Sequence, residues 1–239
     1  ELDAYLEELD LLDVEEIADK LSQLNIAATM DGKNFEVSRL YLTSKLPFAF
    51  NYVDKSLDVA HDNDSAGEHG SHVAGIALAN RYIPSGNGTF QNALESVKTQ
   101  GAAPDAQLIT MKVFGKMGGA YESDYMVAIE DAIILGCDAV NLSLGSGSPG
   151  WSRNGDDVYQ AILEGLADSG IVATMSAGNS GTWMENSYSP TGYLYADDVS
   201  MTTTGTPGTS ANSLSVASVD NAGYTGMYIK SGESIIFYT

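Results

Sequence analysis

The sequence predicts an α/β fold in which a mostly parallel sheet is covered by helices on both faces. Strand-like and helix-like segments alternate from about residue 59 onward, and 239 residues with 44% hydrophobic side chains suffice to bury a core. This alternation is typical of parallel sheets, because parallel strands need a crossover connection, usually a helix. In such sheets, ligands bind at the carboxyl ends of the strands, where the loops meet.

The first 50 residues differ from the rest and are predicted to form an acidic helical insertion. Asp13 and Glu16 have the spacing of a capping box. Apolar residues then repeat at helical spacing, at Val14, Ile17, Leu21 and Leu24. Because carboxylates occupy the other face, we expect a solvated surface helix.

The other elements follow in chain order. The predicted helices are 69–80, 123–135 (capped by Ser123 or Asp124) and 157–169 (ended by Gly170). The predicted strands are 107–114, 139–144, 171–175 and 212–219. Residues 84–100 read as a polar loop.

Composition restricts the partners. With 32 acidic and 11 basic side chains, the net charge is -21, which disfavours binding to nucleic acid and to anionic membrane surfaces. No apolar run approaches the ~20 residues of a membrane-spanning helix, so no membrane insertion is expected in this segment. The single cysteine, Cys137, lies in an apolar stretch and is expected to be a small buried hydrophobe.

Two loops carry side chains suited to acyl transfer. Residues 68–75 read Glu-His-Gly-Ser-His-Val-Ala-Gly, so His69 begins a helix after a polar loop, where a neutral imidazole can accept a hydroxyl proton. Residues 176–181 read Ser-Ala-Gly-Asn-Ser-Gly, so the Asn179 amide can donate to a developing oxyanion, an interaction worth about 3 kcal/mol. Each also has a structural reading, as an ordinary histidine and an ordinary turn.

A third segment, residues 141–145, reads Asn-Leu-Ser-Leu-Gly and predicts a strand edge able to pair with an extended peptide. Together with Gly-Ala-Ala-Pro-Asp-Ala at 101–106, these segments resemble the subtilisin-like (S8) serine peptidase family in order and approximate spacing, over about 59–220. The resemblance implies a subtilisin-like fold and a polypeptide substrate. It implies that His69 is the general base, that His72 is packed behind it, and that Asn179 is the oxyanion donor. It also implies substrate-binding residues, namely Gly118, Gly119, Ser143, Leu144, Gly145, Ser176, Ala177 and Gly178.

Two parts of the family pattern are missing. Ser210, in Gly-Thr-Ser-Ala, lies only about thirty residues after Asn179 and precedes a strand pattern instead of the helix that the family's serine begins. Asp3, Asp10 and Asp13 have neither a strand before them nor a glycine after them. The family's aspartate and serine are therefore expected outside this chain, which alone is predicted to be inactive.

The predicted organisation follows from this reading. Residues 1–50 would be an insertion between the aspartate strand and His69, as in large cell-envelope subtilases of the lactocepin and C5a-peptidase type. Residues 51–222 would be an incomplete catalytic core that needs the rest of the parent peptidase domain. Residues 223–239 would begin an inserted domain, and the parent protein is expected to be secreted or bound to the cell envelope.

Two alternatives remain open. A zinc site could use His61, His69 and His72, although His69 and His72 are three residues apart and the zinc-protease helix places its histidines four apart. The chain could also belong to a non-catalytic, peptide-binding relative. No cofactor is expected, and a structural calcium ion, common in the family, cannot be assigned to particular residues.

Overall fold

A computed structural model describes residues 11–27, 36–62, 64–65, 67–145, 157–179, 204–218, 228–232 and 234–237. The α-helices are α1 (Val14–Lys20), α2 (His69–Leu78), α3 (Ala93–Ser96), α4 (Glu122–Leu135) and α5 (Asp157–Asp168). Short 3-10 helices cover Leu21–Gln23 and Val37–Arg39. The strands are β1 (Phe48–Asn51), β2 (Tyr82–Gly86), β3 (Thr89–Asn92), β4 (Ile109–Lys112), β5 (Ala139–Leu142), β6 (Val172–Ser176), β7 (Leu214–Val216), β8 (Tyr228–Ser231) and β9 (Ser234–Phe237).

The strands form two parallel sheets and two antiparallel hairpins. One parallel sheet pairs β1 with β4, and the other has the order β5-β6-β7. The hairpins are β2–β3 and β8–β9. The predicted α/β class with parallel strands is confirmed, and within the described residues no ladder joins β4 to β5.

Helix α4 packs across both parallel sheets. Its residues Ala128 and Leu135 belong to a buried cluster with the side chains of β1. Tyr125 and Ile129 of the same helix belong to a second cluster with the side chains of β5 and β6. Val113, directly after β4, packs against both clusters. The two sheets therefore lie side by side beneath one helix.

Strand β1 was not predicted, and the boundary placed between residues 50 and 51 falls inside it. All four of its residues are buried; β4 pairs along one side of the strand, and the first cluster covers Phe48 and Phe50. The parallel sheet therefore begins at residue 48, within the segment 1–50 that was predicted to be a helical insertion.

The N-terminal helix differs from the solvated surface helix that was expected. The capping box is confirmed, since Asp13 accepts from the N–H groups of Glu15 and Glu16 and the Glu16 carboxylate accepts from Asp13 N. However, Ile17 is fully buried in the first cluster. Lys20 donates to the carbonyl of Leu135 at 2.6 Å, where a cation is favourable at the carboxyl end of α4. The helix is therefore part of the packed structure.

The carboxylate of Asp131 fastens the following turn to the core. It is fully buried and accepts from the main-chain N–H of Asn25 at 2.6 Å and of Ile26 at 3.4 Å, and from the Tyr52 hydroxyl at 3.0 Å. Burial raises the pKa of Asp131, although the three hydrogen bonds oppose the shift by favouring the charged form. Burial also raises the pKa of Tyr52, which keeps its hydroxyl a donor to Asp131.

Other elements differ in detail from the prediction. The expected loop 84–100 contains the β2–β3 hairpin and α3. Helix α4 begins at Glu122, and its N-cap residue, Tyr121, makes no side-chain capping bond, so neither Ser123 nor Asp124 is the cap. The part of 223–239 that the structure describes forms the β8–β9 hairpin, and the remainder of that predicted inserted segment lies outside the described residues.

Candidate active site

His69 is the first residue of α2 and is exposed to solvent. The chain reaches it through a turn that contains Gly67 at φ +64°, a backbone conformation that favours glycine. His69 lines an open cleft together with Gly67, Glu68 and His72. An imidazole in this position can meet a ligand from solvent, as a general base requires.

His72 lies on the same cleft and is exposed, so the expectation that it is packed behind His69 is wrong. The reason is that no residue of α2 is buried. Among the described residues, no three His, Cys, Asp or Glu side chains are grouped so as to hold a metal ion. The zinc alternative at His61, His69 and His72 therefore finds no geometric support there; the His61 ring instead lies 3.1 Å from the Ser71 hydroxyl.

The loop before His69 is attached to the end of β4 by residues that sequence reasoning missed. Asp64 pairs with Lys112, the last residue of β4, and both side chains are largely buried. Ser65 donates to the carbonyl of Lys116 through its N–H at 3.0 Å and its hydroxyl at 3.3 Å. The signal available in the sequence was Lys112, the one charged residue of the predicted strand 107–114, since a buried cation needs a partner.

Gly118 and Gly119, which the family resemblance implies to be substrate-binding residues, lie in a tight turn. Gly115 donates to the Gly119 carbonyl at 3.0 Å, and Gly118 donates to the Gly115 carbonyl at 2.8 Å. Gly118 has φ +80°, which turns the chain instead of extending it. The turn contains Lys116, whose carbonyl accepts from Ser65, so the turn lies beside the loop that precedes His69. The substrate-binding role of these glycines stays a prediction.

A second group of predicted residues meets at the ends of β5 and β6. The Ser176 hydroxyl donates to the Leu144 carbonyl at 3.0 Å, which joins the two loops. The side chain of Ser143 accepts from Asn141 at 2.9 Å. Gly145 approaches the loop 204–210 so closely that a Cβ on it would lie 2.6 Å from the Thr206 carbonyl oxygen.

The same loop covers Ala177 and Gly178. The Ala177 N–H donates to the Val216 carbonyl at 2.8 Å, and the Ala177 carbonyl accepts from the Gly205 N–H at 2.9 Å. Gly178 has φ +100°, and Asn179 follows it as an exposed residue. The six residues predicted from the second and third segments therefore do converge, and Asn179 lies at their edge.

Ser210 lies at the end of this loop. Its N–H donates to the Pro207 carbonyl at 2.9 Å, and turns lead from it into β7. The predicted strand 212–219 is confirmed in its central part, Leu214–Val216, while residue 219 lies outside the described residues. Ser210 thus precedes a strand and does not begin a helix.

The candidate residues consequently form two groups. His69 and the turn at Gly118 are attached to the end of the β1–β4 sheet, whereas Asn179 and its neighbours lie at the end of the β5–β6–β7 sheet. Both groups therefore lie near the carboxyl ends of parallel strands, where ligands bind in folds of this class. The model of the subtilase family (peptidase S8) matches residues 32–236.

The chain belongs to the subtilase family. The PII-type proteinase of Lacticaseibacillus paracasei is 38% identical over 185 residues, which are 76% of this chain and 9% of that protein. The C5a peptidase of Streptococcus pyogenes serotype M6 is 30% identical over 174 residues, 70% of this chain and 14% of that protein. Among solved structures, Sphericase matches 70% of this chain and 42% of its own at 22% identity, with a TM-score of 0.41.

This subtilase chain thus spans about a tenth of the length of the lactobacillal and lactococcal proteinases among its curated relatives. Within the part that the structure describes, no helix is both long and apolar enough to cross a membrane.

Proposed function

We propose that this chain is the middle part of the peptidase domain of a serine endopeptidase, and that the aspartate and serine of its Ser-His-Asp triad lie in the parent protein outside this chain. The parent would cleave polypeptides and be secreted or bound to the cell envelope. Family membership supports serine peptidase chemistry. The division of the parallel sheet is the observation that supports an incomplete triad in this chain.

Within the described residues, β4 and β5 each have one edge to which no strand is paired. The clusters under these two strands share Val113, so β4 and β5 lie near each other without a ladder between them in the described part of the chain. Ala139 and Asn141 of β5 are exposed, although Leu142 at the end of the same strand is buried. Parallel sheets are normally covered on both faces, and an unpaired edge inside a fold invites a further strand because its N–H and C=O groups are free. This supports a further parallel strand, from the rest of the parent domain, between β4 and β5.

Helix α2 presents a second open surface. Ile76 is 61% exposed. A Cβ placed on Gly70 or Gly75 would meet no atom within 4 Å. Small residues on a helix allow a neighbour to approach closely, so this face fits further chain of the parent domain. Both open surfaces adjoin the group that contains His69.

The chemistry follows from the roles of the groups. A serine hydroxyl is a weak nucleophile until a base removes its proton, and His69 would accept that proton and then return it to the leaving amine. An aspartate at the end of the strand between β4 and β5 would fix the tautomer of His69. The Asn179 amide would donate to the oxyanion that forms when the peptide carbonyl is attacked. Without the aspartate and serine, His69 has neither a group to activate nor a group to orient it.

Chromogenic peptide hydrolysis tests the proposal in the full-length parent and in this chain. We expect turnover by the parent, loss of at least ~10³-fold in His69→Ala, and no turnover by this chain alone. His61→Ala is the matched control, since it removes another exposed histidine of the same segment. Turnover by this chain that disappears in His69→Ala would overturn the incomplete-triad proposal. Peptide binding without turnover by the parent would favour the non-catalytic relative.

A further inference from the structure

The position of His69 depends on the two ends of α2, because no residue of the helix is buried. At the carboxyl end, the N–H groups of residues 101–103 donate to carbonyls of Ile76, Ala77 and Ala79 at 2.8 to 3.0 Å. This hydrogen-bonded contact fixes the end of α2 that is remote from the cleft. The amino-terminal end, where His69 lies, needs an attachment of its own.

That attachment is the ion pair between Asp64 and Lys112. The side chain of Asp64 is 7% exposed and that of Lys112 is 13% exposed. Asp64 lies five residues before His69. The described residues of this segment are joined by main-chain hydrogen bonds, since the Gly67 N–H donates to the Asp64 carbonyl at 3.1 Å and the His72 N–H donates to the Glu68 carbonyl at 3.0 Å. A shift of Asp64 would therefore be passed on to His69.

The type of interaction favours a role in placement over one in stability. A buried ion pair often adds nothing to stability beyond what an apolar pair of the same size would give, because both charges lose their hydration. It does define a position closely, since its attraction acts between two particular atoms in a poorly solvated place. Lys112 is a suitable anchor because its strand is paired with β1, and because the Lys112 carbonyl accepts from the main-chain N–H of Tyr52 at 2.9 Å.

We propose that Asp64 and Lys112 are positioning residues that hold His69 in register with the substrate carbonyl. The inference rests on the proposed function, since it concerns the reaction in which His69 is the base. The pair acts through the 64–68 loop and touches no reacting atom.

The test compares Asp64→Asn, Lys112→Met and the double variant in the full-length parent. We expect each single variant to lower kcat by about 10²-fold with KM changed by less than about twofold, because misplacing a reacting group by about 1 Å has an effect of that size. Asp124→Asn is the matched control, because it breaks the ion pair with Lys55 at the start of α4 and should leave kcat unchanged.

The double variant separates placement from stability. Removing both charges should return the melting temperature toward that of the wild type, because no unpaired charge stays buried. Its kcat should stay low because the anchor is gone. A double variant with wild-type kcat, or single variants with unchanged kcat, would overturn the inference.

Failure of the proposed function would look different, since the unaltered parent would then have no turnover that depends on His69. Hydrogen exchange still tests the placement in that case. In Asp64→Asn, the amides of residues 67–72 should exchange faster than in the wild type while those of α4 do not. Unchanged exchange at residues 67–72 would refute the role of the pair.

Discussion

Replacing Gly101 by alanine should destabilise the chain more than almost any other change of a single methyl group. Gly101 is buried and runs against the carboxyl end of α2. A Cβ at this position would lie 2.6 Å from both the Cα and the carbonyl carbon of Leu78, and closer still to the nitrogen of Ala79. All of these are main-chain atoms, so no side chain can move aside to make room.

The magnitude follows from the displacement that is needed. Non-bonded carbon atoms prefer a separation of about 3.5 to 4.0 Å, so the backbone must shift by about 1 Å. Overpacking of this kind costs about 1–3 kcal/mol. The same shift would lengthen the three hydrogen bonds that residues 101–103 donate to α2, each worth about 1 kcal/mol. We expect a loss of about 3 kcal/mol, a large part of the total of about 5–15 kcal/mol for a typical domain.

Urea unfolding of Gly101→Ala, followed by far-ultraviolet circular dichroism, measures this loss, and Gly75→Ala is the matched control. Gly75 lies inside α2, where a new Cβ meets no atom within 4 Å. Alanine should therefore raise stability there by about 0.5–1 kcal/mol, because it favours the helix over glycine. If Gly101→Ala unfolds within about 0.5 kcal/mol of the wild type, the close approach is not rigid and the reasoning is wrong.

Three further predictions concern groups outside the cleft. Burial raises the folded-state pKa of Asp131 above its unfolded value of about 3.9. The unfolding free energy of the wild type, compared with that of Asp131→Asn, should therefore fall as pH rises from about 4 through the raised pKa. A constant difference between their unfolding free energies would contradict this. Burial also raises the pKa of Cys137 to about 11, so an aromatic disulfide reagent at neutral pH should react slowly until urea is added; equal rates would show an accessible thiolate. Finally, Asp13→Ala should lower the unfolding free energy by about 1 kcal/mol through loss of the capping box, whereas Asp19→Ala, in the same helix, should change it by less than about 0.5 kcal/mol.

Features set by neighbouring residues were predictable from the sequence. The Asp13–Glu16 capping box has the geometry that its spacing implies. The predicted helix 157–169 is α5, and Gly170 follows its end at φ +75°. In both cases the physical cause acts within one turn of helix, so a short stretch of sequence contains all the information needed.

Features that depend on distant partners were missed. Strand β1 is only four residues long, and its burial comes from β4, about sixty residues later in the chain. The N-terminal helix looked solvated because its carboxylates are plain in the sequence. The cluster that buries Ile17 includes Ala128 and Leu135, and the partner of Asn25 is Asp131, all more than a hundred residues later in the chain. The buried pairing of Asp64 with Lys112 is likewise a contact across the fold.

In the candidate site, too, some features could be predicted from the sequence and others depend on distant parts of the chain. The loops around Asn179 converge because β5, β6 and β7 are paired, so their ends must meet. His69 is attached to β4, and within the described residues no strand pairing connects β4 to β5. The separation between His69 and Asn179 therefore depends on how the two sheets are held relative to each other. A parallel strand adds about 4.8 Å to a sheet in the pairing direction, so one strand between β4 and β5 would fix that separation and bring its own carboxyl end between the two groups. On this reasoning, the sequence motifs of the chain specify the two groups, while the strand proposed between β4 and β5 would specify the distance between them.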